Sequence, residues 1–115
     1  VKFIHPRQDI TSWRRRNELI TARVYQRGKE IVLAACDKDL LGKMFREGEL
    51  HIEVVRDFYE GEDVDEETLV NRLSIATIAN LVGEITVKIA IKHRFINEDC
   101  VLRIAGVPHA QMVRI

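Results

Sequence analysis

The chain is 115 residues long and has only two cysteines, Cys36 and Cys100. That is too few for a disulfide framework, and it fits a reducing compartment. Prolines number two and tryptophans one, and aromatic residues make up 6% of the chain. An aromatic-rich RNA-recognition strand pattern is therefore missing, as are a GXXG loop and a zinc knuckle. No run of about 18 uncharged apolar residues occurs, which excludes a membrane-spanning helix. Val1 to Arg16 contains no apolar core of signal-peptide length, so a cytoplasmic protein with no membrane partner is expected. His5, Cys36, His51, His93, Cys100 and His109 are scattered without paired zinc-ligand spacing. The acidic run lacks the alternating order of a calcium loop. Phosphate loop, nucleophile elbow, internal repeat and low-complexity tract are all absent. No metal and no cofactor is expected. Excess charge of one sign is lacking too: 18 Lys and Arg balance 18 Asp and Glu.

What is present is an ordinary folded composition, 46% apolar and 31% charged. The length fits one domain, with an N-terminal arm over residues 1–17 and the domain over 18–115. The zero net charge conceals a pattern along the chain. Val1 to Glu30 carries eight basic against three acidic residues, a net +5. Ile31 to Gly83 carries five against twelve, a net −7, and Glu84 to Ile115 five against three, a net +2. Whether the charges separate in space depends on the fold.

Ile20, Ala22 and Val24 alternate with Thr21, Arg23 and Tyr25, the period of a half-buried strand. Arg27-Gly28-Lys29 is a turn, and Ile31 to Cys36 runs back as a strand apolar on both faces, which predicts a central one. Asp37 is placed to cap a helix over Lys38 to Glu47, with Leu40, Leu41, Met44 and Phe45 on one face and Gly48 just beyond its end. Gly42 inside that helix would cost about 0.5–1 kcal/mol. Leu50 to Val54 reads as a third strand with His51 and Glu53 outward. Asp65 to Leu73 reads as a helix whose first turn holds carboxylates. Ser74 or Thr77 then starts a long, largely buried helix to about Arg94. Its polar stripe is Thr77, Asn80, Glu84, Lys88 and Lys92, with Glu84 and Lys88 paired one turn apart. Asn97-Glu98-Asp99 is a turn and Val101 to Ile104 a strand. Gly106 to His109 breaks that strand, and Met112 to Ile115 adds a short one. The order β-β-α-β-α-α-β predicts an α+β domain: a small mixed or antiparallel sheet packed on the long helix.

Six motifs occur in order: Ala34-Ala35-Cys36-Asp37, Leu41-Gly42-Lys43, Phe45-Arg46-Glu47-Gly48, Phe58-Tyr59-Glu60-Gly61, Ala76 to Gly83, and Gly106 to Gln111. With these the chain resembles the archaeal proteins grouped as domain of unknown function 424, over about Thr21 to Gln111. The resemblance implies an archaeal, cytoplasmic protein with a small α+β domain, no established activity, and an association with RNA or translation.

Two candidate sites follow. The first is an RNA or ribosome surface. Arg23, Tyr25 and Arg27 share the outward face of the first strand, Lys29 stands in its turn, and Arg14, Arg15 and Arg16 precede it. Arginines supply phosphate contacts, and an exposed Tyr25 or Trp13 would stack a base. The second is an enzymatic or small-ligand pocket at the Gly106–Gln111 turn. There His109 titrates in a useful range, Gln111 lies nearby, and Cys36 stands before a helix start, where a thiol pKa falls. Against each stands a plainer reading: a solvated sheet face, a packing cysteine and a histidine bonded to backbone. No residue is assigned a catalytic role. The acidic stretch Asp57 to Glu67 also complements the basic N-terminal segment, from which a charge-paired homodimer is expected; a solvated loop leading into a helix is the plainer account.

Overall fold

The alternation at Ile20 to Tyr25 and the glycine that follows produce the first hairpin. In the computed structural model, which describes residues 19–114, β1 (Ile20–Arg27) pairs antiparallel with β2 (Glu30–Asp37). Gly28 and Lys29 connect them, with Gly28 at φ +59°. Six of the eight residues of β2 are buried, since it is paired on both sides. A single 3-10 turn at Lys38–Leu40 follows, then a second hairpin of β3 (Met44–Glu47) and β4 (Leu50–Glu53). A one-turn helix α1 (Arg56–Tyr59) and the edge strand β5 (Glu62–Val64) return the chain to β1. Helix α2 (Glu66–Ile75) starts at Asp65, whose carboxylate accepts the Thr68 N–H at 2.9 Å. Strand β6 (Ile78–Val82), helix α3 (Glu84–Lys92), a 3-10 turn at Glu98–Cys100, β7 (Leu102–Ile104) and β8 (Val107–Val113) complete the order.

The main sheet has six strands in the order β5-β1-β2-β6-β8-β7. Only β2 and β6 run parallel, so the sheet is mixed and the class is α+β. Among the described residues no helix is long and apolar enough to cross a membrane. The expected arm over residues 1–17 lies outside the described residues.

Two expected helices are corrected. Lys38 to Glu47 is not one: Gly42, at φ +80°, ends the 3-10 turn, and Met44–Glu47 is strand. Gly48, at φ +63°, turns a two-residue hairpin loop instead of terminating a helix. Both uses need the same left-handed glycine, so the spacing of Leu40, Leu41, Met44 and Phe45 alone does not separate them. The long helix from Ser74 or Thr77 to Arg94 is really a strand followed by a shorter helix. β6 is apolar apart from Asn80, because β2 and β8 flank it and packed layers cover one face and part of the other, a pattern that mimics a buried helix. Gly83, at φ +113°, separates strand from helix. Thr77 and Asn80 therefore leave the supposed stripe. Glu84 pairs with Arg103 (Oε1 to Nη2, 3.2 Å) in place of the expected Lys88.

Side chains of the sheet divide between two faces. One is covered by α2 and α3: Leu33, Ala35, Ala79, Leu81 and Ala110 meet Leu69, Leu73, Val87 and Ala90. The other carries Ala34, Cys36 and Val82, and only this end of it is roofed, by the β3–β4 hairpin and α1 through Leu41, Val54 and Tyr59.

Candidate binding face on the open half of the sheet

The register fixes which side chains share the partly roofed face, since directly paired residues project to the same side. Thr21, Cys36, Val82, His109 and Leu102 form one row across the strands. Arg23, Ala34, Asn80 and Gln111 form the next, and Tyr25, Val32, Ile78 and Val113 a third. The first row lies toward the roof. In the third the cover persists over β1 and β2, where Tyr25 stacks on Phe58 and Val32 is buried, and ends over β8, where Val113 is 68% exposed. Gln111 Nε2 donates to Asn80 Oδ1 at 2.8 Å, which leaves the Asn80 amide donors and the Gln111 carbonyl outside that bond.

The basic residues of β1 divide into two kinds. Arg23 Nη1 donates to the Asp57 carbonyl at 2.7 Å, and its guanidinium lies 5.0 Å from the Tyr25 ring centroid. The Tyr25 hydroxyl donates to the Phe58 carbonyl at 2.6 Å, and its ring stacks on Phe58 with centroids 5.5 Å apart. These two residues fasten α1 to the sheet, because α1 is only one turn long and its carbonyls need partners. Arg27 and Lys29 are exposed at the far end of the hairpin and form no ion pair among the described residues. Arg14, Arg15 and Arg16 lie outside the described residues.

Of the expected turn, only Gly106 is in one. Ala105 and Gly106, at φ +51° and +82°, form a two-residue hairpin loop between β7 and β8, whose strands need positive φ at both positions. His109 and Gln111 are therefore strand residues, and β8 runs through Pro108 without a break. Pro108 is tolerated because its carbonyl still serves the sheet, accepting the Gly83 N–H at 2.9 Å. His109 is half-buried, and that burial lowers its pKa below the ordinary value. Cys36 and His109 share a row but Val82 stands between them, so they are about two strand spacings, roughly 10 Å, apart.

Cys36 is fully buried. Burial, followed by the nearby carboxylates of Asp37, Asp39 and Glu60, pushes its thiol up to about 12. A helix start does follow the strand, but it is a 3-10 turn with acidic neighbours, so the expected fall in thiol pKa does not occur. Ellman's reagent should accordingly label native protein at one site, the exposed Cys100, and reach Cys36 only after urea is added. Two fast-reacting thiols in the native protein would contradict this burial.

Three polar residues hold the site together; Thr21 and Glu47 are not singled out as site residues from the sequence, and Asp37, expected to cap a helix directly after it, makes no side-chain cap bond there. Asp37 reaches from the end of β2 to the start of α3. Its Oδ1 accepts from the Thr86 N–H and hydroxyl, both at 2.9 Å, and its Oδ2 from the Ile85 N–H at 3.1 Å. Its carboxyl pKa is raised, because burial outweighs those hydrogen bonds. The Thr21 hydroxyl accepts the Gly61 N–H at 2.9 Å, and Glu47 at the hairpin tip accepts the Ala105 N–H at 2.7 Å. An Asp between an apolar strand and a turn is a visible cap signal, but its partner helix lies 47 residues further on.

Among the described residues the acidic stretch meets the basic hairpin in the sheet and finds most of its ion-pair partners within its own segment, Ile31 to Gly83. β5, from the acidic stretch, pairs with β1 from the basic one. Glu60, Glu62, Asp63 and Glu66 pair with Arg56, Arg72, Lys38 and Lys92 respectively. Among the described residues no three His, Cys, Asp or Glu side chains gather as a metal-ion set.

The model of the family described as "Protein of unknown function (DUF424)" matches residues 25–115. A solved structure, the crystal structure of an uncharacterized conserved protein from Methanopyrus kandleri, has the same fold at a TM-score of 0.70 and 22% identity. That likeness covers 84% of this chain and 94% of the other. No curated protein matches the chain.

Proposed function

We propose that this chain, which belongs to the DUF424 family, is a binding protein that takes single-stranded RNA on the open half of its sheet. One observation carries the reading: the β6–β8 end of these rows combines the Asn80–Gln111 amide pair with exposed apolar Val113, while Arg27 and Lys29, at the far end of the first hairpin, form no ion pair among the described residues. The open part lies over β6 and β8, one strand spacing or about 5 Å across, because α1 covers Tyr25 on β1 and Ala34 and Val32 on β2 are buried. Phosphates would meet Arg27 and Lys29, and base edges would meet the amide groups outside the Asn80–Gln111 bond. A catalytic reading centred on Cys36 and His109 has less support, since the thiol stays protonated near neutrality and Val82 separates the pair.

Fluorescence anisotropy with labelled oligoribonucleotides of mixed sequence tests this at about 50 and 200 mM salt. Micromolar binding is expected at the lower concentration, weakening at the higher. The double variant Arg27→Glu, Lys29→Glu should lose about tenfold, and Asn80→Ala with Gln111→Ala should reduce discrimination among base compositions. Absence of binding at low salt, or binding indifferent to both pairs of substitutions, overturns the proposal.

A further inference from the structure

On the opposite side of the sheet, α3 and the wall formed by residues 98–108 bound a groove of about 740 Å³. Its size is within the range of small-molecule sites. Ile91 of α3 faces Val101 across it, both partly exposed, above the buried Val87 and Pro108, so its apolar floor is aliphatic, and among the described residues no aromatic ring lines it. Glu84, Lys88 and Lys92 follow at four-residue intervals and so stand along one edge of the helix.

The charges on that edge are not equivalent. At one end Glu84 is held by both Nη atoms of Arg103, at 3.3 and 3.2 Å, and Arg103 Nη1 also donates to the Gly106 carbonyl. At the other end Lys92 Nζ is held by Glu66 at 2.9 Å. Lys88, one turn from each, is exposed and forms no ion pair among the described residues. Its natural partner one turn earlier, Glu84, is already engaged by a bidentate guanidinium, the stronger competitor for a carboxylate. A hydrocarbon floor beside an uncommitted ammonium is complementary to an anion with an aliphatic tail. Glu98 in the opposite wall makes that side acidic, which disfavours a multiply charged head such as a phosphate and favours a single negative charge.

We propose that this groove binds a monoanionic aliphatic ligand, a carboxylate of the fatty-acid class, with its head on Lys88 and its tail along Ile91 and Val101. The site uses no residue of the open sheet face and stands independently of RNA binding.

Decanoate and decylamine share a chain length and differ in head charge, so their comparison isolates the role of Lys88. In a two-dimensional amide NMR titration, decanoate should shift α3 and β7 signals with a Kd of roughly 1 mM or tighter. Decylamine should bind about tenfold more weakly. Lys88→Glu, an exposed change that leaves the floor intact, should reverse that order. Equal affinity for the two probes, shifts centred away from α3 and β7, or no response of the preference to Lys88→Glu would overturn the assignment.

Discussion

Replacing Asp37 by Ala is expected to lower the unfolding free energy by about 4 kcal/mol, a large share of the 5–15 kcal/mol typical of a domain. The carboxylate satisfies three donors at the start of α3, two of them backbone N–H groups in the first helical turn. Loss of an N-terminal cap costs about 1–2 kcal/mol, and each buried donor left without a partner costs about 1–3 more. Asp37 is 7% exposed, so little water is available to replace it. Room for the carboxylate comes from Gly83: a Cβ there would lie 2.3 Å from Asp37 Cγ. Asp37→Asn keeps one acceptor oxygen and should cost about half as much. Urea unfolding of the three proteins at neutral pH measures both values, and equal losses below about 1 kcal/mol would remove Asp37 as the anchor of α3.

The Asn variant also isolates a pH dependence. The folded pKa of Asp37 is raised above its ordinary 3.8, so the folded state holds the proton more tightly than the unfolded one. The stability this group contributes is therefore full below the unfolded pKa and lost as pH rises through the folded pKa. Asp65 and Glu66 shift the other way, lowered first by the hydrogen bonds of Thr68 and His93 respectively. Wild type minus Asp37→Asn cancels those opposing groups. That difference should fall as pH rises above the ordinary carboxyl value of 3.8, and a flat or rising difference would show that burial does not govern this carboxyl.

Gly61→Ala is expected to cost about 3 kcal/mol, close to the upper end for an overpacked site. A Cβ at position 61 would stand 2.2 Å from the Ala22 carbonyl oxygen and 2.9 Å from both the Ala22 carbonyl carbon and Arg23 Cβ. The atom in the way is β1 backbone, which is paired on both sides and has little freedom to move. The same shift would strain the Gly61 N–H bond to Thr21. Gly48→Ala provides the contrast. Its added Cβ meets nothing within 4 Å, and only the φ of +63° opposes it, so about 1 kcal/mol is expected. Thermal or urea unfolding ranks the two, and a Gly48 variant less stable than the Gly61 variant would contradict the close approach.

The legible parts of this chain were those whose partners lie close in sequence. Ile20 to Cys36 reads as a hairpin because strand alternation, glycine turn and return strand occupy one short window. Asp65 reads as the start of α2 because its carboxylate binds the Thr68 N–H three residues later. Met44–Glu47 and Ile78–Val82 were misread because their signals are degenerate over short windows. Four apolar residues around Gly42 suit a helix or a turn entering a strand, and Ala76 to Val82 is as apolar as either a buried helix or a strand flanked on both edges. The sequence places Arg23 and Tyr25 on one outward face of β1, but not as the residues that hold α1, whose backbone lies more than 30 residues away.

Composition, patterning and ordered motifs were sufficient for the α+β class, the family resemblance and the first hairpin, because these rest on local periodicity and residue identity. Only the tertiary structure decided that Cys36 is sealed beneath a hairpin, that Asp37 caps a helix 47 residues away, and that Lys88 lines a groove without an ion-pair partner among the described residues while Arg103 occupies Glu84. Each of these depends on which partner wins among distant competitors for a donor, an acceptor or a covering side chain. That competition is settled by the parallel joining of β2 to β6 and by the layers packed on the sheet, which bring together residues whose spacing along the chain carries no sign of their meeting.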